Sequence, residues 1–344
     1  MQEIFRYLQD GQFHSGEELG NMLGISRAGV WKRLKQLEKQ GLMLDAVAGK
    51  GYRLHRDVVL LDSDQIKACI DEPARSRTGL VIRHSVSSTN DAVLSQLENP
   101  EPVQICVAEH QTAGRGRRGR TWVSPSGANI YFSMLWRFDN GMSGLEGLSL
   151  VVGLAVLKTL EKIGVTGLAL KWPNDLLCLG RKLAGILLEI NGDPNGECQV
   201  VIGVGLNIKL SQKQLKEISQ PAIDLHTVSG VAVDKNRIIG ELIGRLVSFI
   251  DVFQAEGFAP FRDDWERHDV CAGQEVRLIT AAREIVGTAM GVNERGALLL
   301  LDHDGKKRAW TGGEISLRPY GTSDQVWRRQ VVVKDRSIQG ASCT

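Results

Sequence analysis

The apolar positions of the chain change period from segment to segment, and each change marks a predicted element. Ile4, Phe5 and Leu8 form one helical stripe. In "SGEELGNMLG", Ser15 and Glu18 stand at capping-box spacing ahead of Leu19, Met22 and Leu23, and Gly24 stops the run. Ser26 then caps a third predicted helix, whose Val30, Leu34 and Leu37 share a face and leave Arg27, Trp31, Lys32 and Lys35 on the others. Past Gly41 the period shortens: "LMLDAVAGKGYRL" alternates as a hairpin does, with "GKGY" at the turn. The pattern changes again near Leu61. From there "VQICVAEH" reads as a strand, "ANIYFSMLW" as an alternating strand, and 148–160 as an apolar run. "EVRLIT", "EIVGTAM" and "GALLLL", within 271–320, alternate in short pieces separated by turns, which predicts a small β-barrel. The expected units are 1–60, 61–267 and 268–320, followed by an extension, 321–344, with no assigned role.

Helix, turn, helix and wing in that order predict a winged helix-turn-helix, with DNA contacted by Ser26, Arg27, Trp31, Lys32, Lys35 and Lys50. A small helical packing domain is the plainer alternative, since helix pairs with tight turns are common. The sequential match with a basic exposed face favours DNA. Trp31 stands where a polar base-reading side chain is expected, so an operator sequence does not transfer.

Composition adds little: 344 residues with 42% apolar and 24% charged residues suit a globular protein of two or three domains. A net charge of +2 means that nucleic-acid contact must come from a local basic surface. Cys69, Cys106, Cys178, Cys198, Cys271 and Cys343 are scattered without a CxxC, which argues against a zinc site or a disulfide framework and for a reducing compartment. The first residues lack the pattern of an export signal, and 148–160 is too short to span a bilayer. A cytoplasmic protein is expected, with no membrane partner.

"GRGRRGR", residues 114–120, fits the spacing of a dinucleotide-binding loop, yet no helix opens after it; a turn and a strand follow instead. Without GK[ST] it is no Walker A loop either. The remaining readings are a mobile, glycine-hinged loop that closes over an anion, a solvated basic turn, or a nucleic-acid contact. The neighbouring motifs favour the first: "SSTN" (87–90), "KWPND" (171–175), "GRKLAGILLE" (180–189) and "GVGLNI" (203–208). Taken in order and joined by "GGEISLR" (312–318), they resemble the bifunctional biotin–protein ligase and biotin-operon repressor family.

The resemblance implies an α+β protein: a winged helix-turn-helix, a ligase domain with the mixed sheet of class II aminoacyl-tRNA synthetases, and an SH3-like barrel. It also implies ATP-dependent formation of biotinyl-5′-AMP, with Mg²⁺ entering on ATP and no metal held by protein ligands. The biotin is then transferred to a lysine of biotin carboxyl carrier protein. By motif position, Ser88, Thr89, Asn90, Gln111, Arg115, Gly116, Arg117 and Lys182 are the expected biotin-binding groups. Arg118, Arg120, Trp122, Lys171, Asn174, Asn207 and Arg318 are those for ATP or the adenylate. Lys182, Arg115, Arg117 and Asp175 are the expected catalytic groups, with Asp175 a candidate acceptor of the lysine proton or an orienting group. The family further implies operator DNA as partner, biotinyl-5′-AMP as corepressor, and a homodimer formed on ligand binding, for which an edge strand near "ECQVVIGV" is the candidate interface. Two rivals remain: a lipoate-type ligase, and a non-enzymatic transcription factor that senses biotin.

Overall fold

The computed structural model describes residues 2–8, 10–55, 58–95, 101–138, 141–192, 196–230, 233–280, 283–312 and 315–320. The expected extension at 321–344 lies outside them.

The chain opens with α1 (Gln2–Leu8), α2 (Gly16–Leu23) and α3 (Arg27–Lys39). The capping box forms: the Glu18 amide donates to Ser15 Oγ at 3.0 Å, and the Ser15 amide donates back to the Glu18 carboxylate at 3.3 Å. Gly24 ends α2 at φ +64, a left-handed turn that favours glycine. Ser26 caps α3 by accepting from the Gly29 amide. The wing is β1 (Leu44–Val47) paired antiparallel with β2 (Gly51–Leu54). Ile4, Leu8, Leu19, Val30, Leu34 and Leu37 pack into a core of their own that reaches Leu60, and the main core of the molecule takes over at Leu61.

The central part contains α4 (Ser63–Ala68), α5 (Ala74–Arg77), β3 (Thr78–Val86), α6 (Thr89–Leu94), β4 (Val103–Gln111), β5 (Asn129–Phe138) and α7 (Leu148–Lys162). It continues through β6 (Leu168–Lys171), β7 (Asp175–Cys178), β8 (Arg181–Gly192), β9 (Cys198–Asn207), α8 (Gln212–Glu217), α9 (Leu225–Ser229), α10 (Lys235–Glu256) and α11 (Arg262–Arg267). The strands form a seven-stranded mixed sheet in the order β3-β4-β5-β9-β8-β7-β6, parallel between β3 and β4 and antiparallel elsewhere. Helix α7 packs on β6, β7 and β8 and against α10. Among the described residues no helix is long and apolar enough to cross a membrane.

Two expectations fail here. β5 does not alternate between buried and exposed; nearly all of it is buried, because neighbours flank it on both sides and layers cover both faces. The "ECQVVIGV" segment is no edge, since β9 pairs with β5 on one side and β8 on the other. The edges of this sheet are β3 and β6.

The last part is a five-stranded antiparallel sheet: β10 (Glu275–Ile279), β11 (Glu284–Val292), β12 (Leu298–Asp302), β13 (Lys307–Trp310) and β14 (Ser316–Pro319), in the order β13-β12-β11-β10-β14. Its Val276, Leu278, Leu298 and Leu317 join the same apolar core as α7 and α10, so packing is continuous across residues 267–268.

Glu109 anchors the start of the central part, and contacts at Gln40 and Phe5 tie the first unit to it. The Leu61 amide donates to Glu109 Oε1 at 2.5 Å, and Lys235 Nζ lies 2.6 Å from Glu109 Oε2 with both side chains buried. The Ser126 amide donates to the Gln40 carbonyl, which caps α3, at 2.7 Å. The Phe5 ring packs on His84 at a tilt of 49° with ring centroids 3.9 Å apart, and burial pushes the His84 imidazole down to about 4.

Candidate active site

Two adjoining cavities open over β8 and β9, where glycines keep the sheet surface low. A Cβ on Gly203 would stand 2.5 Å from Asn90 Oδ1, and one on Gly205 would stand 2.5 Å from the Trp122 ring. One on Gly185 would meet Lys182 and Trp122 at 3.1 Å. "GVGLNI" and "LAGILL" therefore need glycine because side chains from other elements lie directly on the backbone.

The smaller compartment has a volume of about 50 Å³ and is lined by Ser88, Thr89, Asn90, Gln111, Arg115, Tyr131 and the glycines of β8 and β9. Its polar groups form one network. Ser88 caps α6 by accepting from the Asn90 amide. Gln111 Oε1 accepts from the Thr89 amide at 2.9 Å and from Thr89 Oγ1 at 3.2 Å, while its Nε2 donates to Ser124 Oγ at 3.0 Å. Buried Ser133 faces Thr89 Oγ1 at 2.7 Å and Asn90 Oδ1 at 2.5 Å. Asn90 Nδ2 donates to Glu189 at 2.8 Å. Hydroxyls and amides held this way suit a ligand that is mostly apolar and carries a few fixed donors and acceptors.

The larger compartment, about 450 Å³, is cationic: Arg117, Arg118, Arg120, Lys171, Lys182 and Arg318 line it beside Trp122, Asn174, Asp175 and Asn207. Lys182 Nζ lies 2.5 Å from Asp175 Oδ1 and Lys171 Nζ lies 3.5 Å from Asp175 Oδ2. Burial pulls the Asp175 carboxyl upward, but the two ammonium groups outweigh it and hold it below the usual carboxylate range. Burial depresses Lys171, with Asp175 working against it, and also depresses Arg117 and Arg318. Gly116, Arg117, Trp122, Asn174 and Lys182 line both compartments and form their common wall.

The basic loop joining them is folded on itself. Arg115 and Thr121 form a bridge, the Gly116 amide donates to the Arg120 carbonyl at 2.7 Å, and the Trp122 amide donates to the Gly114 carbonyl at 2.9 Å. Arg118 sits in a left-handed turn at φ 58. The arginines are not equivalent. Arg115 is clasped by Asp91 and Glu189, whereas Arg117 donates to Asn174 Oδ1 at 2.8 Å and to the Ile315 carbonyl at 3.1 Å. Two other expected roles lose ground. A carboxylate clamped by two cations is a poorer proton acceptor than a free one, which weakens Asp175 as a base. The Asn207 amide donates to the Ile223 carbonyl at 3.1 Å and the Lys182 carbonyl at 3.5 Å, which pins the 211–224 segment over the cavity.

The structure thus gathers every expected site residue of the central and last parts around these compartments. It also adds Asp91, Ser124, Ser133 and Glu189, to which no site role was assigned from the motifs. Ser133 had a readable signal as the polar residue inside "NIYFSMLW", Glu189 as the one acid ending "GRKLAGILLE", and Asp91 only its place next to "SSTN". The expected DNA-contact residues lie elsewhere. Arg27, Trp31, Lys32 and Lys35 are exposed along α3, with Lys50 exposed at the wing and Trp31 54% exposed. Ser26 is also exposed, but its hydroxyl is engaged as the cap.

Comparison with known proteins agrees with this layout. Residues 82–207 match the model of the biotin/lipoate A/B protein ligase family, 1–53 that of an HTH domain, and 272–318 that of the biotin protein ligase C-terminal domain. The chain is similar to the bifunctional ligase/repressor BirA of Salmonella typhimurium, with 41% identity over 92% of this chain and 96% of that protein. The Escherichia coli BirA matches at 40% over the same shares. A solved biotin protein ligase of Aquifex aeolicus, in complex with biotin and ATP, aligns with a TM-score of 0.61 and 30% identity, covering 70% of this chain and 99% of that one. The chain belongs to the biotin protein ligase family, in its bifunctional ligase/repressor branch.

Proposed function

We propose that this protein joins biotin to ATP to make biotinyl-5′-AMP, passes the biotin to a lysine of a biotin carboxyl carrier protein, and represses biotin-synthesis genes with the adenylate as corepressor. The observation that carries the reading is the common wall: a small compartment of amides and hydroxyls and a large cationic one meet at Arg117, Trp122, Asn174 and Lys182. An acid seated in the first would present its carboxylate to a nucleotide phosphate in the second.

Carboxylate attack on the α-phosphorus forms the acyl phosphate bond and expels pyrophosphate. The chemistry needs placement and cations more than acid–base groups. Lys182 is the cation for the reacting phosphate, with Arg117, Arg118, Arg120 and Arg318 around it. Asp175 keeps Lys182 and Lys171 in place as their counter-ion. Mg²⁺ enters with the triphosphate, as part of the substrate. In the second step a neutral lysine amine of the carrier attacks the acyl carbon, AMP leaves, and the amine's proton passes to solvent or AMP. Trp122 and the folded loop keep water from the anhydride until then.

Residues 1–60 are the DNA-binding unit of this reading, 61–267 the catalytic unit and 268–320 a sheet that supplies Arg318. DNA lies along α3 at Arg27, Trp31, Lys32 and Lys35. The working form on DNA is a dimer over paired half-sites, and the setting is the cytoplasm.

Biotin-dependent ATP–pyrophosphate exchange tests the enzyme, with lipoate as the competing acid. Exchange with lipoate and none with biotin would overturn the substrate; no exchange with either would leave only the sensor reading. For the repressor, titrating a biotin-gene upstream duplex at fixed salt should show tighter binding with biotin and ATP than without. Charge reversal at Lys32 should weaken that binding and spare exchange. Equal affinity with and without ligands refutes the corepressor.

A further inference from the structure

Arg115 meets two carboxylates that the adenylation chemistry does not call for. Asp91, in the first turn of α6, takes its guanidinium in a bidentate grip at 2.6 and 2.8 Å. Glu189, on β8, accepts from Arg115 Nη2 at 3.2 Å and from Nε at 3.4 Å. Glu189 Oε2 also accepts from Asn90 Nδ2 at 2.8 Å, while Asn90 Oδ1 receives Ser133 at 2.5 Å. The Asn90 amide is committed at both ends, and the Glu189 carboxylate is divided between the wall of the small compartment and the basic loop.

We propose that Asp91 and Glu189 are positioning residues for adenylation: they hold the basic loop through Arg115, and Glu189 carries the state of the small compartment, sensed at Asn90, to that loop. The proposal rests on the ligase reading above. One exposed ion pair contributes little, but a planar guanidinium gripped by one carboxylate and shared with a second forms a network with defined geometry. Arg115 keeps the Asp91 carboxyl below its usual range, with burial opposing, so the grip persists at neutral pH. The loop's internal bonds make it move as a unit, so what holds Arg115 holds Gly116 and Arg117 at the common wall. Glu189 Oε2 is shared between Asn90 Nδ2 at 2.8 Å and Arg115 Nη2 at 3.2 Å, so when a ligand draws the Asn90 amide to itself this oxygen is left to Arg115 and the clasp tightens. Filling the compartment and retaining the intermediate are thereby coupled, in the same sense from either side.

The test uses the full chain loaded with biotin and ATP, followed by a chase that reads dissociation of the biotinyl-adenylate. Asp91→Asn and Glu189→Gln should each speed release about fivefold, the effect of losing an interaction of about 1 kcal/mol. Asp91→Glu should restore most of the wild-type rate. In a double-mutant cycle, Asp91→Asn added to Arg115→Gln should speed release no further than Arg115→Gln alone. Melting temperature is read alongside, because a purely structural role would lower it without changing release. Release within twofold of wild type in both single variants, or fully additive effects in the cycle, overturns the proposal. A wild-type chain that forms no adenylate overturns the ligase reading, and the proposal with it.

Discussion

Substituting alanine for Gly205 isolates the role of the glycine floor. The added Cβ would lie 2.5 Å from Trp122 Cε2, 2.6 Å from Cζ2 and 2.8 Å from Nε1. Carbon atoms in ordinary contact stay about 3.5 Å or more apart, so the indole must retreat by about 1 Å. Its free direction is outward, into the compartments whose common wall it forms. Overpacking of this kind costs about 1–3 kcal/mol of stability, which leaves a folded protein. A displacement of about 1 Å at a site that works by positioning costs up to about a hundredfold in rate. The expected result is therefore a melting curve still cooperative and a biotin-dependent exchange rate down by at least about tenfold. Gly203→Ala is the comparison: its Cβ strikes Asn90 Oδ1 at 2.5 Å, on the small-compartment side, and should raise the KM for biotin more than it lowers kcat. If Gly205→Ala exchanges pyrophosphate within twofold of wild type, Trp122 is not part of the working wall. If the two variants are indistinguishable in their KM and kcat changes, the division into two compartments is wrong.

Three further outcomes are expected. Lys182→Ala should slow adenylation about a hundredfold, about 3 kcal/mol in the barrier, and single-turnover rates within a few-fold of wild type would make Lys182 a bystander. Lys235→Met strands the buried Glu109 carboxylate and should cost about 3–5 kcal/mol in denaturant unfolding, whereas adding Glu109→Gln should recover part of it; a loss under about 1 kcal/mol would show the pair to be solvated. Burial disfavours the His14 imidazolium, but Asp10 at 2.9 Å and Glu18 at 3.1 Å outweigh it and raise its pKa. A raised folded pKa contributes stability that is full below the unfolded value, about 6.5, and is lost as pH rises through the folded one. The melting temperature of the winged helix-turn-helix should therefore fall as pH rises above about 6.5, and Asp10→Asn should flatten that slope; a slope unchanged by the substitution refutes the assignment.

Local order was legible wherever one element satisfies itself. The Ser15–Glu18 box, the Gly24 stop and the Ser26 cap are bonds between residues a few positions apart, so spacing alone predicts them. The alternating wing is equally local. The site motifs were readable for another reason: "SSTN", "GRGRRG", "KWPND" and "GRKLAG" each place their polar residues within a short span, and their order along the chain carried the family resemblance.

What the sequence determined by itself was thus the three N-terminal helices, their caps and the wing, together with the motifs whose residues line the two compartments. Tertiary structure decided which groups spend their bonding capacity on one another. Asp91, Arg115 and Glu189 are far apart in the chain and meet because α6, the basic loop and β8 converge, and that meeting gives one arginine of "GRGRRG" two carboxylate partners. Asp175, by motif a proton acceptor or an orienting group, has Lys182 and Lys171 on its two oxygens. β9 looked like an edge until its partners on both sides were in place, and β5 was expected to alternate until both of its faces were seen to be covered. In each case the controlling quantity is the proximity of a distant charge or strand, and an energy that depends on distance through space cannot be read from distance along the chain.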